Sequence, residues 1–285
     1  MKKIKFLLII FIVSLTSTGC FKSDTMEDIT IYTSVYPIEY ITEKLYGEYS
    51  EVLSIYPDGI DVNNYELTKK QINDYSNVEL FIFNGLTNEK NYVADFFKEN
   101  RKIKIIDGTS SMEVIRKTEE LWLNPSNLLM ISQNIKNGFN EYITSHYIKE
   151  EILNNYEELK LEISNLDANF SKVSENASNK NIVVTNDMFN FLSKYGFNVI
   201  SLENANEKTI SDVYNYINNG QIKNIFAPKN ADISEVAKKI ISDTNINILE
   251  LHTLANISEN ERKNNKDYIS LMNENINQLK LELYN

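Results

Sequence analysis

The sequence predicts an α/β protein: two β/α lobes with parallel sheets, joined by one long rigid linking helix. Short runs rich in Ile, Val, Phe and Tyr alternate with helical patterns in both halves of the chain. These runs are nearly continuously apolar, which is typical of parallel strands covered on both faces by helices. A long amphipathic stretch without Pro or Gly separates the halves, and 285 residues with 42% hydrophobic content suffice for two cores.

The N-terminal end of the chain has the composition of an export signal. Three lysines precede an apolar run from Phe6 to Leu15, which predicts a signal peptide over residues 1–19 and is too short to span a membrane. The sequence TGC resembles a bacterial lipobox, so Cys20 is a candidate lipidation site carrying a diacylglycerol, with residues 20–27 as a tether. Ser17 stands where the motif usually has Leu, and the alternative is an exported protein with a free cysteine.

The first lobe is predicted over residues 28–146 from alternating strand and helix patterns. Its strands are predicted at Ile29–Ser34, Val52–Tyr56, Leu80–Asn84 and Ile103–Ile106, and its helices at Ile38–Leu45, Thr68–Tyr75 and Tyr92–Glu99. Strands separated by helices in this way pair in parallel.

The linking helix is predicted over residues 147–176. From Tyr147 to Val173 the apolar residues recur at steps of three and four, and no Pro or Gly interrupts them. At 1.5 Å per residue this stretch spans roughly 40 Å, so a rigid connection is expected rather than a flexible hinge. A coiled-coil partner helix is the alternative.

The second lobe is predicted over residues 177–285 and repeats the pattern of the first. Its strands are predicted at Asn181–Thr185, Asn198–Leu202, Asn224–Ala227 and Asn247–Leu251, and its helices at Met188–Tyr195, Thr209–Asn219, Ile233–Thr244 and Tyr268–Leu283. In open α/β sheets, ligands bind beyond the carboxyl ends of the strands, so the loops that follow these strands are the candidates for a site.

Charge and motifs exclude several classes of function. With 29 Lys and Arg against 40 Asp and Glu, the net charge is −11, and no basic run opposes that field, so nucleic acid is excluded as a partner. The single cysteine excludes internal disulfides and thiolate metal clusters. The chain lacks the phosphate-binding, dinucleotide, metalloprotease and esterase motifs, so no enzyme activity is predicted. We expect a monomer.

Several blocks of sequence resemble one protein family. IYTSVYPIEYITEKLYG, YPDGIDVNNYELTKKQINDYSNVELFIFNGL, LWLNPSNLLMISQNI and VVTNDMFNFLSKYGFNVISL follow one another in the order of the zinc/manganese-receptor lipoproteins of bacterial ABC uptake transporters. Relatives in that family have also been described as streptococcal adhesins. The resemblance extends from Ile29 to Leu283, and it implies a metal site between two lobes joined by a rigid helix.

The resemblance places metal ligands at four positions, and this chain departs from the family at each. Asn63 stands at the first histidine, and Glu120 stands where a histidine is expected two residues before Trp122. Asn186 replaces a histidine or glutamate, and His252 stands where an aspartate follows the last strand. Amides are weaker donors than imidazoles and carboxylates, so this set is expected to bind a divalent ion more weakly than the family does.

Neighbouring residues extend the candidate site. Tyr36 and Tyr65 are expected on loops that face the cleft, and Glu66 and Asp187 flank the ligand positions. A small change of register would recruit further carboxylates, including Glu119, Glu66, Asp187 and Glu250. An oxygen-rich set with one imidazole favours Mn²⁺ or Ca²⁺ over Zn²⁺.

Each of the four positions also has a structural interpretation without a ligand. Asn63 fits a turn, Glu120 fits the entry of a helix, Asn186 fits a helix N-cap, and His252 fits a structural histidine.

Two functions remain open from the sequence. In the first, the protein is the substrate-binding lipoprotein of an ABC importer, anchored at the outer face of the bacterial cytoplasmic membrane. It would bind manganese or zinc between its lobes and present it to a permease and its ATPase. In the second, a degenerate family member binds a non-metal small ligand or acts as a surface adhesion lipoprotein.

Overall fold

The computed structural model describes residues 26–284. The predicted signal peptide, Cys20 and most of the predicted tether therefore lie outside the described residues. No helix within residues 26–284 has the length and apolar character needed to cross a membrane.

The first lobe is a four-stranded parallel sheet with the strand order β2-β1-β3-β4. In chain order its elements are β1 (Ile29–Thr33), α1 (Tyr36–Tyr46), a 3₁₀ turn (Gly47–Tyr49), β2 (Ser50–Ser54), α2 (Lys69–Ser76), β3 (Leu80–Phe83), α3 (Glu89–Glu99) and β4 (Lys104–Asp107). The two central strands, β1 and β3, are the most buried, because helices cover both faces of the sheet.

Three helices follow the first sheet: α4 (Glu120–Leu123), α5 (Pro125–Tyr142) and α6 (His146–Asn176). The amide oxygen of Asn124 accepts from the Ser126 N–H at 3.1 Å and caps α5, with Pro125 at its first position. The helix α5 packs closely on β4, since a Cβ at Gly138 would lie 2.7 Å from the Ile106 side chain.

The second lobe is a four-stranded parallel sheet with the strand order β6-β5-β7-β8. Its elements are β5 (Asn181–Val184), a 3₁₀ segment (Asp187–Tyr195), β6 (Asn198–Ser201), α7 (Glu207–Asn218), β7 (Asn224–Pro228), α8 (Glu235–Thr244), β8 (Asn247–Leu251), α9 (Glu259–Lys263) and α10 (Tyr268–Leu283). The predicted fold class, two parallel β/α lobes joined by a long helix, is confirmed.

The linking helix α6 runs without interruption from one lobe to the other. Its 31 residues extend for about 45 Å at 1.5 Å per residue. One face of α6 is buried from Ile148 to Val173, and it packs against α1 and α5 of the first lobe and α10 of the second. Near its end, the Phe170 ring stacks on Tyr195 at 5.2 Å between centroids. The helix therefore belongs to the cores of both lobes.

The segment after β5 is a 3₁₀ helix rather than the α-helix expected over Met188–Tyr195. Its buried residues are Met188, Phe189, Phe191 and Leu192. These side chains fall into two pairs spaced by three, and a helix of three residues per turn places both members of each pair on one face.

Contacts beside the cleft hold the lobes together directly. The Arg262 guanidinium donates to both carboxylate oxygens of Asp58 at 2.9 Å and lies 2.8 Å from the Glu39 carboxylate. The Asn256 amide donates to the carbonyl of Pro57 at 2.8 Å, and the Trp122 indole donates to the carbonyl of Thr253 at 2.8 Å. The segment between β8 and α10 is therefore docked on the first lobe.

Candidate functional site

The loops at the carboxyl ends of the strands enclose a cavity of about 760 Å³ between the two lobes. We call it the interlobe cavity, and it is lined by the loop after β2, the segment before α4, and the loops after β5, β7 and β8. Three of the four residues that the family resemblance predicts as ligands, Asn63, Asn186 and His252, line it. Glu120 is absent from the lining, and its neighbour Glu119 is present.

Asn63 lies in a turn that Asp61 organises. One carboxylate oxygen of Asp61 accepts from the Asn63 N–H at 3.0 Å, and the other accepts from the Asn64 side chain at 2.6 Å. The side chain of Asn63 is exposed to solvent. The turn interpretation of Asn63 thus agrees with the structure, and the same turn leaves the residue facing the cavity.

Asn186 caps the 3₁₀ segment. Its side-chain oxygen accepts from the Met188 N–H at 2.9 Å, and the following Asp187 N–H donates to Glu203 at 2.8 Å. The capping bond uses one lone pair of the Asn186 oxygen, which is the atom that would ligate a cation. The N-cap interpretation therefore agrees with the structure, and the capping bond makes the Asn186 oxygen a weaker ligand for a metal ion.

The imidazole of His252 is held by contacts at both ring nitrogens. Its Nδ1 accepts from the Leu254 N–H at 2.9 Å, and its Nε2 lies 3.2 Å from Glu261 Oε1. The Asn275 amide fixes the backbone on both sides, accepting from the His252 N–H at 2.6 Å and donating to its carbonyl at 2.9 Å. Leu254 adopts φ +61°, a left-handed conformation that costs a leucine energy.

These contacts determine the tautomer of His252. Because Nδ1 faces an N–H donor, it carries the lone pair, and the proton of the neutral ring resides on Nε2, where it meets Glu261. Burial lowers the pKa of His252, so the ring is neutral near pH 7. Both nitrogens are then occupied, and in this arrangement the imidazole has no lone pair left for a metal ion.

Glu261 anchors this network on its other side. Burial tends to raise its pKa, but hydrogen bonds from Lys229 and Ser258 outweigh it and lower the pKa to about 2. The Lys229 ammonium lies 2.7 Å from the carboxylate, and the Ser258 N–H and hydroxyl donate to its second oxygen at 2.9 and 2.7 Å. Glu261 is therefore ionised and fully engaged.

Sequence reasoning did not identify Lys229 or Glu261. Lys229 directly follows β7, at the edge of the sheet where ligands bind, and Ser258 with Glu261 forms the capping box of α9. Both signals are readable in the sequence, but neither indicates that the two side chains meet beside His252.

Glu120 lies at the start of α4 and is half-buried. Burial raises the pKa of Glu120, the positive charge of Arg116 opposes this effect, and the negative charge of Asp187 adds to it. The carboxylate therefore belongs to a group of charges beside the cavity. Glu119, one residue earlier, lies in the wall instead.

The remaining predicted neighbours occupy different places. Tyr65 and Glu66 line a second cavity next to the interlobe cavity. Tyr36 is buried, with the Arg262 guanidinium 6.0 Å from its ring centroid, and neither it nor Asp187 is part of either wall.

The interlobe cavity carries an excess of negative charge. Five carboxylates and two ammonium groups line it, namely Asp61, Glu119, Asp232, Glu250, Glu261, Lys117 and Lys229. Both ammonium groups are already paired, Lys117 with Glu203 and Lys229 with Glu261. Within residues 26–284, Glu119, Asp232 and Glu250 form no salt bridge. The cavity thus attracts cations.

The carboxylates are not gathered around a point. Across the described part of the chain, no group of three or more His, Cys, Asp or Glu side chains lies close enough to hold a metal ion. Ligation of an ion would therefore require side chains of the wall to rotate toward one another.

The tautomer of His252 is directly measurable by ¹⁵N NMR. We expect its Nε2 to be protonated and its Nδ1 to show the shift of a hydrogen-bonded lone pair, because Leu254 donates to Nδ1. The chain has two histidines, and His146 is exposed on α6, so it provides an internal reference outside the cavity. A protonated Nδ1 on His252 would contradict this assignment.

Comparisons with known proteins agree with the fold. The family model ZnuA, described as zinc-uptake complex component A, periplasmic, matches residues 31–281. The zinc-binding protein AdcA of Streptococcus pyogenes serotype M1 is 22% identical over 292 residues, covering 89% of this chain and 56% of AdcA. The chain thus spans about half the length of this relative.

Two solved structures share the architecture. The metal-dependent lipoprotein YcdH from Bacillus subtilis has a TM-score of 0.74 at 19% identity, covering 90% of this chain and 100% of that one. The Zn(II)-bound ZnuA-like domain of Streptococcus pneumoniae AdcA has a TM-score of 0.73 at 20% identity, with the same coverage. Since the family model spans nearly all of the described residues and the two-lobe fold agrees with it, the chain belongs to the ZnuA family of periplasmic zinc-uptake complex components.

Proposed function

We propose that the protein is the extracytoplasmic receptor of an ABC importer and that it binds a divalent metal ion in the interlobe cavity. The observation that carries the proposal is the wall of this cavity, where Glu119, Asp232 and Glu250 have no salt-bridge partner among residues 26–284. Membership of a family of zinc-uptake components supports the transport role. A permease and its ATPase are the partners that this role implies.

The donor set favours Mn²⁺ over Zn²⁺. Zn²⁺ prefers imidazole and thiolate ligands, whereas carboxylate, carbonyl and water oxygens suit Mn²⁺. The one histidine in the wall has both nitrogens engaged, by Leu254 and Glu261. The ion would therefore be held by oxygen atoms, with carboxylates of the wall supplying the charge and Asn63 and Asn186 supplying amide oxygens.

Export and anchoring follow from the same role. A signal peptide over residues 1–19 and a diacylglycerol on Cys20 would hold the receptor at the outer face of the cytoplasmic membrane, close to its permease. These residues lie outside those that the structure describes, so this part of the proposal is supported by the sequence alone.

Thermal and chemical unfolding with Mn²⁺, Zn²⁺ and Ca²⁺ tests the metal proposal. At a hundredfold excess over its Kd, Mn²⁺ is expected to raise the free energy of unfolding by about 2.7 kcal/mol. The variants Glu119→Gln and Glu250→Gln are each expected to weaken binding at least about tenfold, equivalent to about 1.4 kcal/mol. Glu207→Gln makes the same charge change at an exposed position on α7 and is expected to bind as the wild type does.

Two results would contradict the proposal in different ways. No stabilisation by any of the three ions would overturn a metal cargo. A larger stabilisation by Zn²⁺ than by Mn²⁺, lost in His252→Ala, would overturn the oxygen set and show that the imidazole leaves its contacts with Leu254 and Glu261 to bind the ion.

A further inference from the structure

A second cavity of about 660 Å³ lies in the first lobe, beside the interlobe cavity. We call it the tyrosine pocket, because Tyr56, Tyr65, Tyr92 and Trp122 line it together with the carboxyl group of Glu89. It shares the wall residues Val62, Asn63 and Glu119 with the interlobe cavity, so the two spaces adjoin. Its volume is in the range of small-molecule sites.

The aromatic rings of the tyrosine pocket are fixed in position. Tyr56 and Tyr65 meet edge to face, with their centroids 5.9 Å apart and their planes at 84°, so they form a corner. The Tyr65 hydroxyl accepts from the Gln71 side chain at 2.7 Å, and the Tyr92 hydroxyl accepts from the Leu67 N–H at 3.3 Å. The Trp122 indole is held by its bond to the second lobe. The walls are therefore preformed.

The pocket is acidic and has no cationic side chain in its wall. Four carboxyl groups line it, from Glu66, Glu89, Asp95 and Glu119, whereas no Lys, Arg or His does so among the residues described. Asp95 is neutralised by Lys98 at 2.7 Å on the solvent side. An anionic ligand would meet only repulsion here, and an uncharged ligand would leave the carboxylates uncompensated.

Glu89 is the most enclosed of these acids, with 4% of its surface exposed. Its carboxyl group is hydrogen bonded to the hydroxyls of Thr87 and Tyr56. Burial raises its pKa to about 7, because no positive charge lies near enough to compensate the carboxylate. A cation in the pocket would supply that missing charge.

We propose that the tyrosine pocket binds a small organic cation through an alkylammonium group. Aromatic faces attract ammonium groups, and carboxylates complete the charge pairing. A bare metal ion fits this wall less well, since tyrosine rings and Trp122 offer no carboxylate cluster around a single point. The proposal concerns a site outside the interlobe cavity and does not require that a metal bind there.

Trp122 provides a direct signal for occupancy. It is the only tryptophan in the chain, and it lies in the wall of the tyrosine pocket. Choline and putrescine are the two probes, one a quaternary and one a primary ammonium ion. We expect a saturable change in tryptophan fluorescence with at least one of them, and the more effective probe identifies the kind of ammonium group that the pocket prefers.

Variants locate the bound cation. Glu89→Gln and Tyr65→Ala are each expected to raise the dissociation constant at least about tenfold, while Glu207→Gln, an equal charge change on exposed α7, leaves it unchanged. Glu89→Gln is expected to fold, because it removes a buried charge and keeps the shape of the side chain. Tyr65 is half-buried, so its variant provides a second measurement that does not depend on Glu89.

Three results would overturn the proposal. One is the absence of a saturable response to both probes. Another is equal weakening by Glu89→Gln and Glu207→Gln, which would indicate non-specific attraction to an acidic protein. The third is weakening by Glu250→Gln with no effect of Glu89→Gln, which would place the cation in the interlobe cavity. Repeating the titration with and without Mn²⁺ separates the failure of this proposal from the failure of the metal proposal. If no metal binds in the interlobe cavity, the tyrosine pocket stays intact and its response to the probes is still expected.

Discussion

Replacing Arg262 by methionine is expected to lower the free energy of unfolding by about 2–3 kcal/mol near neutral pH. Arg262 bonds Asp58 through two nitrogens at 2.9 Å and Glu39 at 2.8 Å, and Glu39 is only 4% exposed. Removing the guanidinium leaves a buried carboxylate without its partner. The estimate lies at and below the lower limit of the range of about 3–5 kcal/mol for breaking a buried ion pair, because the Arg262 side chain is 39% exposed.

The loss is expected to depend on pH. Burial raises the pKa of Glu39 and Arg262 opposes that effect, so the variant raises this pKa further. The pKa of the Glu39 carboxyl group is higher in the folded state than its unfolded value of 4.5. The contribution of this group to the free energy of unfolding is therefore fully present below about pH 4.5, where the group is protonated in both states, and it is lost as the pH rises through the folded pKa. The deficit of Arg262→Met should therefore be small below about pH 4.5 and large near pH 7.

Urea unfolding at several pH values measures this dependence. The double variant Glu39→Gln with Arg262→Met is expected to recover part of the lost stability near pH 7, because it removes the unpaired charge. Lys263→Met is the matched control, since Lys263 is adjacent in sequence but 74% exposed, and its one ion pair among residues 26–284 is with exposed Glu259. A deficit of equal size at all pH values, or no recovery in the double variant, would show that Arg262 acts through packing instead.

Truncation of Phe170 to alanine is expected to have a larger effect, lowering the free energy of unfolding by about 3–5 kcal/mol. Phe170 is fully buried on the linking helix, where it stacks on Tyr195 and meets Phe191 edge to face at 5.7 Å. Its removal leaves a cavity between α6 and the 3₁₀ segment of the second lobe. Because this contact joins the linking helix to that lobe, the loss of stability should extend throughout the second lobe.

Leu161→Ala is the matched control for Phe170→Ala. Leu161 lies on the same helix with 63% of its surface exposed, and Leu and Ala have similar helix propensities, so its truncation should change stability by less than about 0.5 kcal/mol. Denaturant unfolding gives the difference, and hydrogen exchange locates it. A loss below about 1 kcal/mol for Phe170→Ala would mean that the second lobe closes the cavity or does not rely on α6.

The linking helix and the strands were predictable because their signals are local. Apolar residues at steps of three and four, from Ile152 to Phe170, indicate one buried helical face whatever that face packs against. The helix α5 also carries a local signal, the Asn124-Pro125 start, although it was not used in the prediction. In each case a few neighbouring residues contain the information.

The identity of the wall residues was less predictable. Glu119 and Glu120 are neighbours at the start of α4, and successive side chains on a helix point about 100° apart. A shift of one residue thus decides which carboxylate lines the interlobe cavity. The sequence supplies both acids, but the rotation of α4 is decided by what Leu121, Trp122 and Leu123 pack against.

By itself the sequence determined the two-lobe α/β fold and the uninterrupted helix between the lobes, and it has Asn63, Glu120 and Asn186 at three positions where the family resemblance predicts metal ligands. Only the tertiary structure decided that His252 has both ring nitrogens engaged and that Arg262 ties the lobes together. The physical reason is distance along the chain. Secondary structure follows from periodicity over a few turns, whereas the charge and donor balance of the site depends on side chains that only folding brings together.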